Sequence, residues 1–78
     1  MTDKASPGWV VQIMLPGPTG GPATFHYFNV AIADANKAVQ AAVEHAEPPA
    51  EARVSPIRKL LSAEVAALRL KAGKVKPA

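Results

Sequence analysis

The sequence predicts a small α+β domain in which two strands are followed by a helix, a third strand and a second helix. Two segments rich in β-branched and aromatic residues, 9–15 and 24–32, flank a loop of glycine and proline. An alanine-rich segment, 35–46, has the apolar spacing of a helix. The chain has 78 residues, which suits one domain. We therefore expect a ββαβα domain with a three-stranded, mainly antiparallel sheet packed against one main helix, and a short C-terminal helix.

The first two strands are predicted from their period-two alternation. In WVVQIML (9–15), the side chains on one face of the strand are Trp9, Val11, Ile13 and Leu15. In TFHYFNVAI (24–32), the corresponding side chains are His26, Phe28, Val30 and Ile32. We expect these two sets to form the core of an antiparallel hairpin, with His26 as a half-buried packing residue near the loop.

The loop PGPTGGPA, residues 16–23, is predicted to be a turn and not a phosphate-binding site. It lacks the lysine and the hydroxyl residue that follow the last glycine of a Walker loop. Its three prolines have no N–H group to donate to an anion, and its glycines supply the positive φ values that turns require.

The segments after the hairpin are predicted to form a helix and a third strand. Asp34 is the expected N-cap, because its carboxylate can accept hydrogen bonds from the first turn. The apolar stripe of the helix comprises Ala35, Ala38, Val39, Ala42, Val43 and Ala46, and the helix ends before Pro48 and Pro49. The third strand, 53–61, is placed antiparallel to the first strand and beside it. Pro56 cannot donate a ladder hydrogen bond, so this strand is expected at a sheet edge or with a bulge.

The C-terminal part is predicted to contain a short helix with Ser62 as its N-cap and Gly73 at its end. We divide the chain into a flexible N-terminus (1–8), a single α+β domain (9–72) and a flexible basic tail (73–78).

Composition and charge restrict the classes of function. The absence of cysteine excludes disulfides and thiol chemistry and favours a cytoplasmic protein. The N-terminal MTDKASPG does not have the features of a signal peptide, and no apolar run approaches the roughly 18 residues of a membrane span. Residues 52–78 carry seven basic residues and one acidic residue, whereas residues 1–51 are net acidic. A basic segment of this kind is typical of nucleic-acid or acidic-partner binding, and also of a solvated surface.

No combination of residues in the sequence predicts catalysis. The two histidines do not have the spacing of metal ligands, and no serine lies in a nucleophile elbow. We therefore expect no enzyme, no cofactor and no metal site. The function we expect is a small non-catalytic module that binds a protein partner or forms a homodimer. The homodimer would use the apolar edge of the second strand, TFHYFNV.

Nucleic-acid binding is the alternative function. Phe25 and Tyr27 share one strand face, a spacing that suits base stacking. The basic residues available for phosphate contacts are Arg53, Arg58 and Lys59. These five residues are the candidate contacts for nucleic acid or another partner; no membrane partner is expected. The opposing interpretation is that the second helix covers this face and makes both aromatic residues part of the core.

The segments YFNVAIADANKAV (27–39) and ARVSPIRKLLSAEVAALRLKAGKVKPA (52–78) resemble short uncharacterised bacterial α/β proteins with the order hairpin, helix, strand, helix. The shared features are an aromatic strand that runs into Ala-Asp-x-x-Lys-Ala-Val and a closing Leu-Ser-x-Glu…Ala-Leu-x-Leu-Lys-x-Gly-x-Val. The resemblance implies a bacterial origin and no particular activity. These proteins often have glycine before the final leucine, where this chain has Arg69.

Overall fold

The computed structural model describes residues 8–78, so the predicted flexible N-terminus lies outside the described residues except for Gly8. The elements, in chain order, are β1 (Gly8–Leu15), β2 (Thr24–Val30), α1 (Ala35–Ala46), β3 (Arg53–Leu60), α2 (Ser62–Ala67) and β4 (Val75–Pro77). The strands form one sheet in the order β3-β1-β2-β4, and each neighbouring pair is antiparallel. The predicted α+β class, the hairpin and the position of the third strand beside the first are confirmed.

The prediction of three strands is wrong, because β4 forms within the segment expected to be a flexible tail. It pairs with Phe28–Val30 of β2. A turn at Gly73, where φ is +80°, brings the chain back to the sheet, and the Gly73 N–H donates to the Ala31 carbonyl. β4 therefore covers half of the β2 edge that we expected to be free. A homodimer through the second strand stays a prediction. Beyond the region near β4, only Thr24–His26 of the β2 edge are left for pairing with another molecule.

One side of the sheet packs against α1, as the alternation predicts. Val11, Val30, Ala38 and Ala42 form a buried cluster on this side, and Ile13 on the same strand face is also buried. The two alanines are fully buried, and their small side chains let the helix backbone approach the sheet closely. His26 lies near the end of this side but is exposed, so the prediction of a half-buried histidine is wrong. The α1 layer does not extend over it, since the helix ends at Ala46.

A second apolar cluster lies on the opposite side of the sheet, where α2 and the residues after it pack. The buried residues of this cluster are Val10, Ala31, Leu60 and Leu70, with Val65 and Leu68 packed against them. The sheet is therefore covered on both sides, but α2 has only six residues and covers only one end. At about 1.5 Å per residue, such a helix is roughly 9 Å long.

β3 lies at a sheet edge and also carries a bulge, the two arrangements expected from its proline. Val10 pairs with Arg58 and Val11 pairs with Pro56, so Ile57 is the extra residue. The bulge reverses the alternation of β3 between its two halves. As a result Lys59 faces the α1 side with Trp9, whereas Arg58 faces the α2 side with Val10.

The predicted N-cap is correct for α1 and wrong for α2. Asp34 caps α1 as expected, because its Oδ1 accepts from the Lys37 N–H at 3.0 Å. In α2 the N-cap is Leu61 and not Ser62, which is the first helical residue. The Glu64 carboxylate accepts from the Leu61 N–H at 2.9 Å, which replaces the expected serine cap.

The end of α2 is also earlier than predicted. The helix ends at Ala67, and Arg69 adopts a left-handed conformation with φ of +55°. The Arg69 N–H donates to the Ala66 carbonyl, and the Leu70 N–H donates to the Val65 carbonyl. This pair of bonds is the Schellman motif, which commonly has glycine at the left-handed position.

The glycine- and proline-rich loop between β1 and β2 forms a turn. The Gly21 N–H donates to the Pro18 carbonyl at 2.6 Å, and Gly20 has φ of +74°. A positive φ at the third residue of a four-residue turn is the geometry that glycine provides.

Candidate functional site

The side of the sheet that carries α2 is uncovered beyond the end of that helix. We call this uncovered part the open face, and its residues are Gln12, Met14, Phe25, Tyr27, Arg53 and Ser55. The strand register arranges them in two rows across β3, β1 and β2. One row is Arg53, Met14 and Phe25, and the next is Ser55, Gln12 and Tyr27. Rows of this kind are about 7 Å apart along the strands, and neighbouring strands are about 4.8 Å apart.

Phe25 and Tyr27 are exposed on this face, at 49% and 41% of their full accessible areas. The interpretation that the second helix covers them is wrong, because α2 lies over the other end of the sheet. Exposing two large aromatic side chains forgoes burial that a small domain needs for stability. Their placement on neighbouring rows is therefore a candidate binding feature.

Arg53 and Arg58 lie on the same side of the sheet as the two aromatic residues but in different electrostatic settings. Arg53 is exposed, and among residues 8–78 it has no ion-pair partner. Arg58 forms a two-bond pair with Glu64, with N–O distances of 2.8 and 3.2 Å. Arg53 is therefore the stronger candidate for contact with an anion.

The Arg58–Glu64 pair changes the acidity of both groups. The hydrogen bond from Arg58, together with the Leu61 backbone N–H, lowers the pKa of Glu64 below its ordinary value. The hydrogen bond to Glu64 and its charge raise the pKa of Arg58. Both groups stay charged at neutral pH, and each offsets the charge of the other.

Lys59, the fifth candidate residue, does not belong to the open face. Its Nζ lies 5.8 Å from the centroid of the Trp9 ring on the α1 side, a cation–π contact. The indole N–H of Trp9 donates to the Ala33 carbonyl at 2.9 Å and fixes the ring. The structure therefore brings together four of the five candidate residues and separates Lys59 from them.

Lys76 was missed in the sequence because β4 was not predicted. It pairs with Asn29 across the strands, and its Nζ donates to the Leu68 carbonyl at 3.2 Å, which places it on the α2 side. The signal available was the alternation of Lys74, Val75 and Lys76, which is the period of a strand.

Acidic and basic residues are divided between the segment that forms α1 and the segment that follows it. Residues 34–51, which form α1 and its flanking turns, carry four acidic residues and one basic residue. Residues 53–78 carry seven basic residues, and Glu64 is the one acidic residue. Of these basic residues, Arg53, Arg58 and Lys76 lie on the side of the sheet opposite α1, whereas Lys59 lies on the α1 side.

Three further findings concern the site. Among the described residues no group of three His, Cys, Asp or Glu side chains is placed to hold a metal ion. Neither helix of residues 8–78 has the length and apolarity needed to cross a membrane. No family model, curated protein or solved structure matches the chain. Function is therefore inferred from the geometry of the open face alone.

Proposed function

We propose that the protein is a non-catalytic binding module that holds single-stranded nucleic acid on the open face of its sheet. The observation that carries the proposal is the exposure of Phe25 and Tyr27 on neighbouring rows of an otherwise uncovered sheet face. Arg53 on the open face and Lys76 on the same side of the sheet supply positive charge for a polyanion.

The two aromatic rings can each stack one base. They are two residues apart on β2, which corresponds to about 7 Å along the strand. Base stacking on an aromatic side chain does not depend on the identity of the base and is worth about 1–3 kcal/mol. Bases in a duplex are already stacked on their neighbours, so this arrangement favours a single strand over a duplex.

Arg53 is the expected phosphate contact. It lies in the same row as Phe25, two strands away, which is about 10 Å between Cα atoms. Met14 lies between them and continues the apolar surface. A nucleic-acid strand with one base stacked on Phe25 would therefore pass close to the Arg53 guanidinium, which has no ion-pair partner among the described residues.

The test measures binding of fluorescein-labelled 12-nucleotide RNA and DNA, single-stranded and duplex, by fluorescence anisotropy at 50 and 200 mM salt. We expect Phe25→Ala or Tyr27→Ala to weaken single-strand binding by about fivefold or more, from the loss of one stacking contact. Arg53→Gln is expected to reduce the salt dependence by about 0.7 in the slope of log K against log salt. The RNA and DNA arms show which nucleic acid is preferred.

Two control variants make similar changes on α1, which lies on the opposite side of the sheet from the open face. Val43→Ala removes an exposed apolar side chain of α1, and Lys37→Gln removes one positive charge there. We expect neither to change binding. Absence of binding at 50 mM salt, or an equal loss in the control variants, would contradict the proposal. The expected protein-binding or self-associating module would then be the next hypothesis, tested by sedimentation of the protein at high concentration.

A further inference from the structure

A groove opens between α2 and the sheet, next to the open face. Its volume is about 700 Å³, within the range of small-molecule sites. Val10, Leu60 and Leu68 form apolar parts of its wall, and Tyr27 lies where the groove meets the open face. The groove is therefore continuous with the surface to which we assign nucleic-acid binding.

Asn29 is the buried polar side chain of this groove. It is 8% exposed, and the other buried side chains of the described residues are apolar. Within residues 8–78 its side-chain amide has no hydrogen-bond partner. Among the described residues, every side-chain nitrogen or oxygen that is fully enclosed has a hydrogen-bond partner. Since the Asn29 amide has none, it is not fully enclosed and must reach the open space of the groove. The Asn29 side chain is therefore largely buried, while its amide is left available to a group that enters the groove.

The chemistry of the groove selects a flat ring with a polar edge. The Asn29 amide offers one acceptor and two donor hydrogens side by side. Val10, Leu60 and Leu68 suit the face of an aromatic ring, and the Arg58–Glu64 pair completes the wall. The edges of nucleobases present neighbouring donors and acceptors that pair with such an amide through two hydrogen bonds.

We infer that this groove is a base-reading pocket, in which Asn29 hydrogen-bonds the edge of one base of the bound single strand. The inference rests on the proposed function and adds sequence preference to it. Phe25 and Tyr27 stack bases of any identity, whereas the amide in the groove discriminates between them. Purine and pyrimidine edges lie at different distances from the sugar, so an amide held at one place in the groove is expected to prefer one base.

The experiment compares binding of the oligonucleotides rA12, rC12 and rU12 to the whole protein at fixed salt. We expect the wild type to prefer one of the three by about fivefold or more, the discrimination of a two-bond contact. Asn29→Leu keeps the size of the side chain and removes the amide. This variant is expected to bind all three within about twofold, at the affinity of the least favoured oligonucleotide.

Asn36→Leu is the matched control, because it makes the same substitution at an exposed position of α1, on the opposite side of the sheet from the groove. It is expected to keep the preference. Ala67→Trp is a second variant, for use if Asn29→Leu does not fold; Ala67 is exposed and lines the groove, so an indole there blocks the pocket. This variant is also expected to lose the preference.

The outcomes separate the two proposals. Binding of all three oligonucleotides with equal affinity by the wild type, or retention of the preference in Asn29→Leu or Ala67→Trp, overturns the base-reading pocket and leaves the proposed function standing. If the wild type binds none of the three at 50 mM salt, the proposed function and the pocket fail together.

Discussion

Arg69 is a residue whose conformation is set by its neighbours and not by its own preference. Its φ of +55° completes the Schellman motif that ends α2 and turns Leu70 back into the apolar cluster with Val10 and Leu60. A left-handed conformation costs a residue with a Cβ atom about 1–2 kcal/mol. The burial of Leu70 offsets that cost, because a fully buried leucine contributes about 1.5–3 kcal/mol.

Replacing Arg69 with glycine is expected to stabilise the protein. Glycine removes the left-handed cost but gives the unfolded chain more freedom, so the net gain in the free energy of unfolding is about 0.5–1 kcal/mol. Urea unfolding followed by circular dichroism measures it. Arg69→Ala is the control, since it removes the charge and keeps the Cβ atom; it is expected to show no gain. A glycine variant no more stable than the alanine variant would mean that the backbone here is not under strain.

The Arg58–Glu64 pair gives stability that depends on pH. The pKa of Glu64 is lowered in the folded protein, so its contribution is complete above the ordinary glutamate pKa of about 4.3. The contribution is lost as the pH falls through the lowered value. We expect the stability difference between the wild type and Glu64→Gln to be present at pH 7 and to shrink below pH 4.

Urea midpoints of the two proteins at several pH values between 7 and 2.5 provide this measurement. Glu51→Gln is the control for removing one negative charge, because Glu51 is exposed and has no ion-pair partner among the described residues. A difference between wild type and Glu64→Gln that stays constant across the whole range would show that the pair does not lower the pKa of Glu64.

β4 is the element that the rest of the fold holds in place. Its three residues are too few to form a strand alone, and Val75 joins the α1-side cluster through its pairing with Val30. Without β4, the neighbouring edge of β2 has unpaired N–H and C=O groups beside apolar side chains, which favours pairing between molecules.

Deletion of residues 75–78 is therefore expected to lower the free energy of unfolding by about 1–2 kcal/mol, from the loss of Val75 burial. It is also expected to cause self-association at high concentration. Sedimentation velocity and urea unfolding measure the two effects. Lys76→Ala keeps the strand and should remain close to the wild type in both. A deletion variant that is monomeric and equally stable would mean that β4 adds nothing to the sheet.

At the scale of the whole molecule, the separation of charge gives the protein an orientation. Residues 34–51 are net acidic, whereas Arg53 and Lys76 lie on the side that carries the open face, so we expect a polyanion to approach that side rather than α1. The open face and the groove with Asn29 lie on that basic side.

The sequence by itself determined the elements that depend on near neighbours. The alternation of β1 and β2, the hairpin turn and the Asp34 cap of α1 are confirmed, because the residues that specify each of them lie within a few positions along the chain. The same alternation placed Phe25 and Tyr27 on one face.

Tertiary structure decided the features that depend on partners far away in sequence. Ile57 is an extra residue only because of the way β3 pairs with β1. This bulge exchanges the faces on which Arg58 and Lys59 lie. The sequence of β3 alone therefore does not show which of the two joins the candidate site. β4 needs β2 to form at all, and Asn29 lies between Val10 of β1 and Lys76 of β4. In each case the deciding energy comes from packing or pairing between segments, which short-range periodicity does not encode.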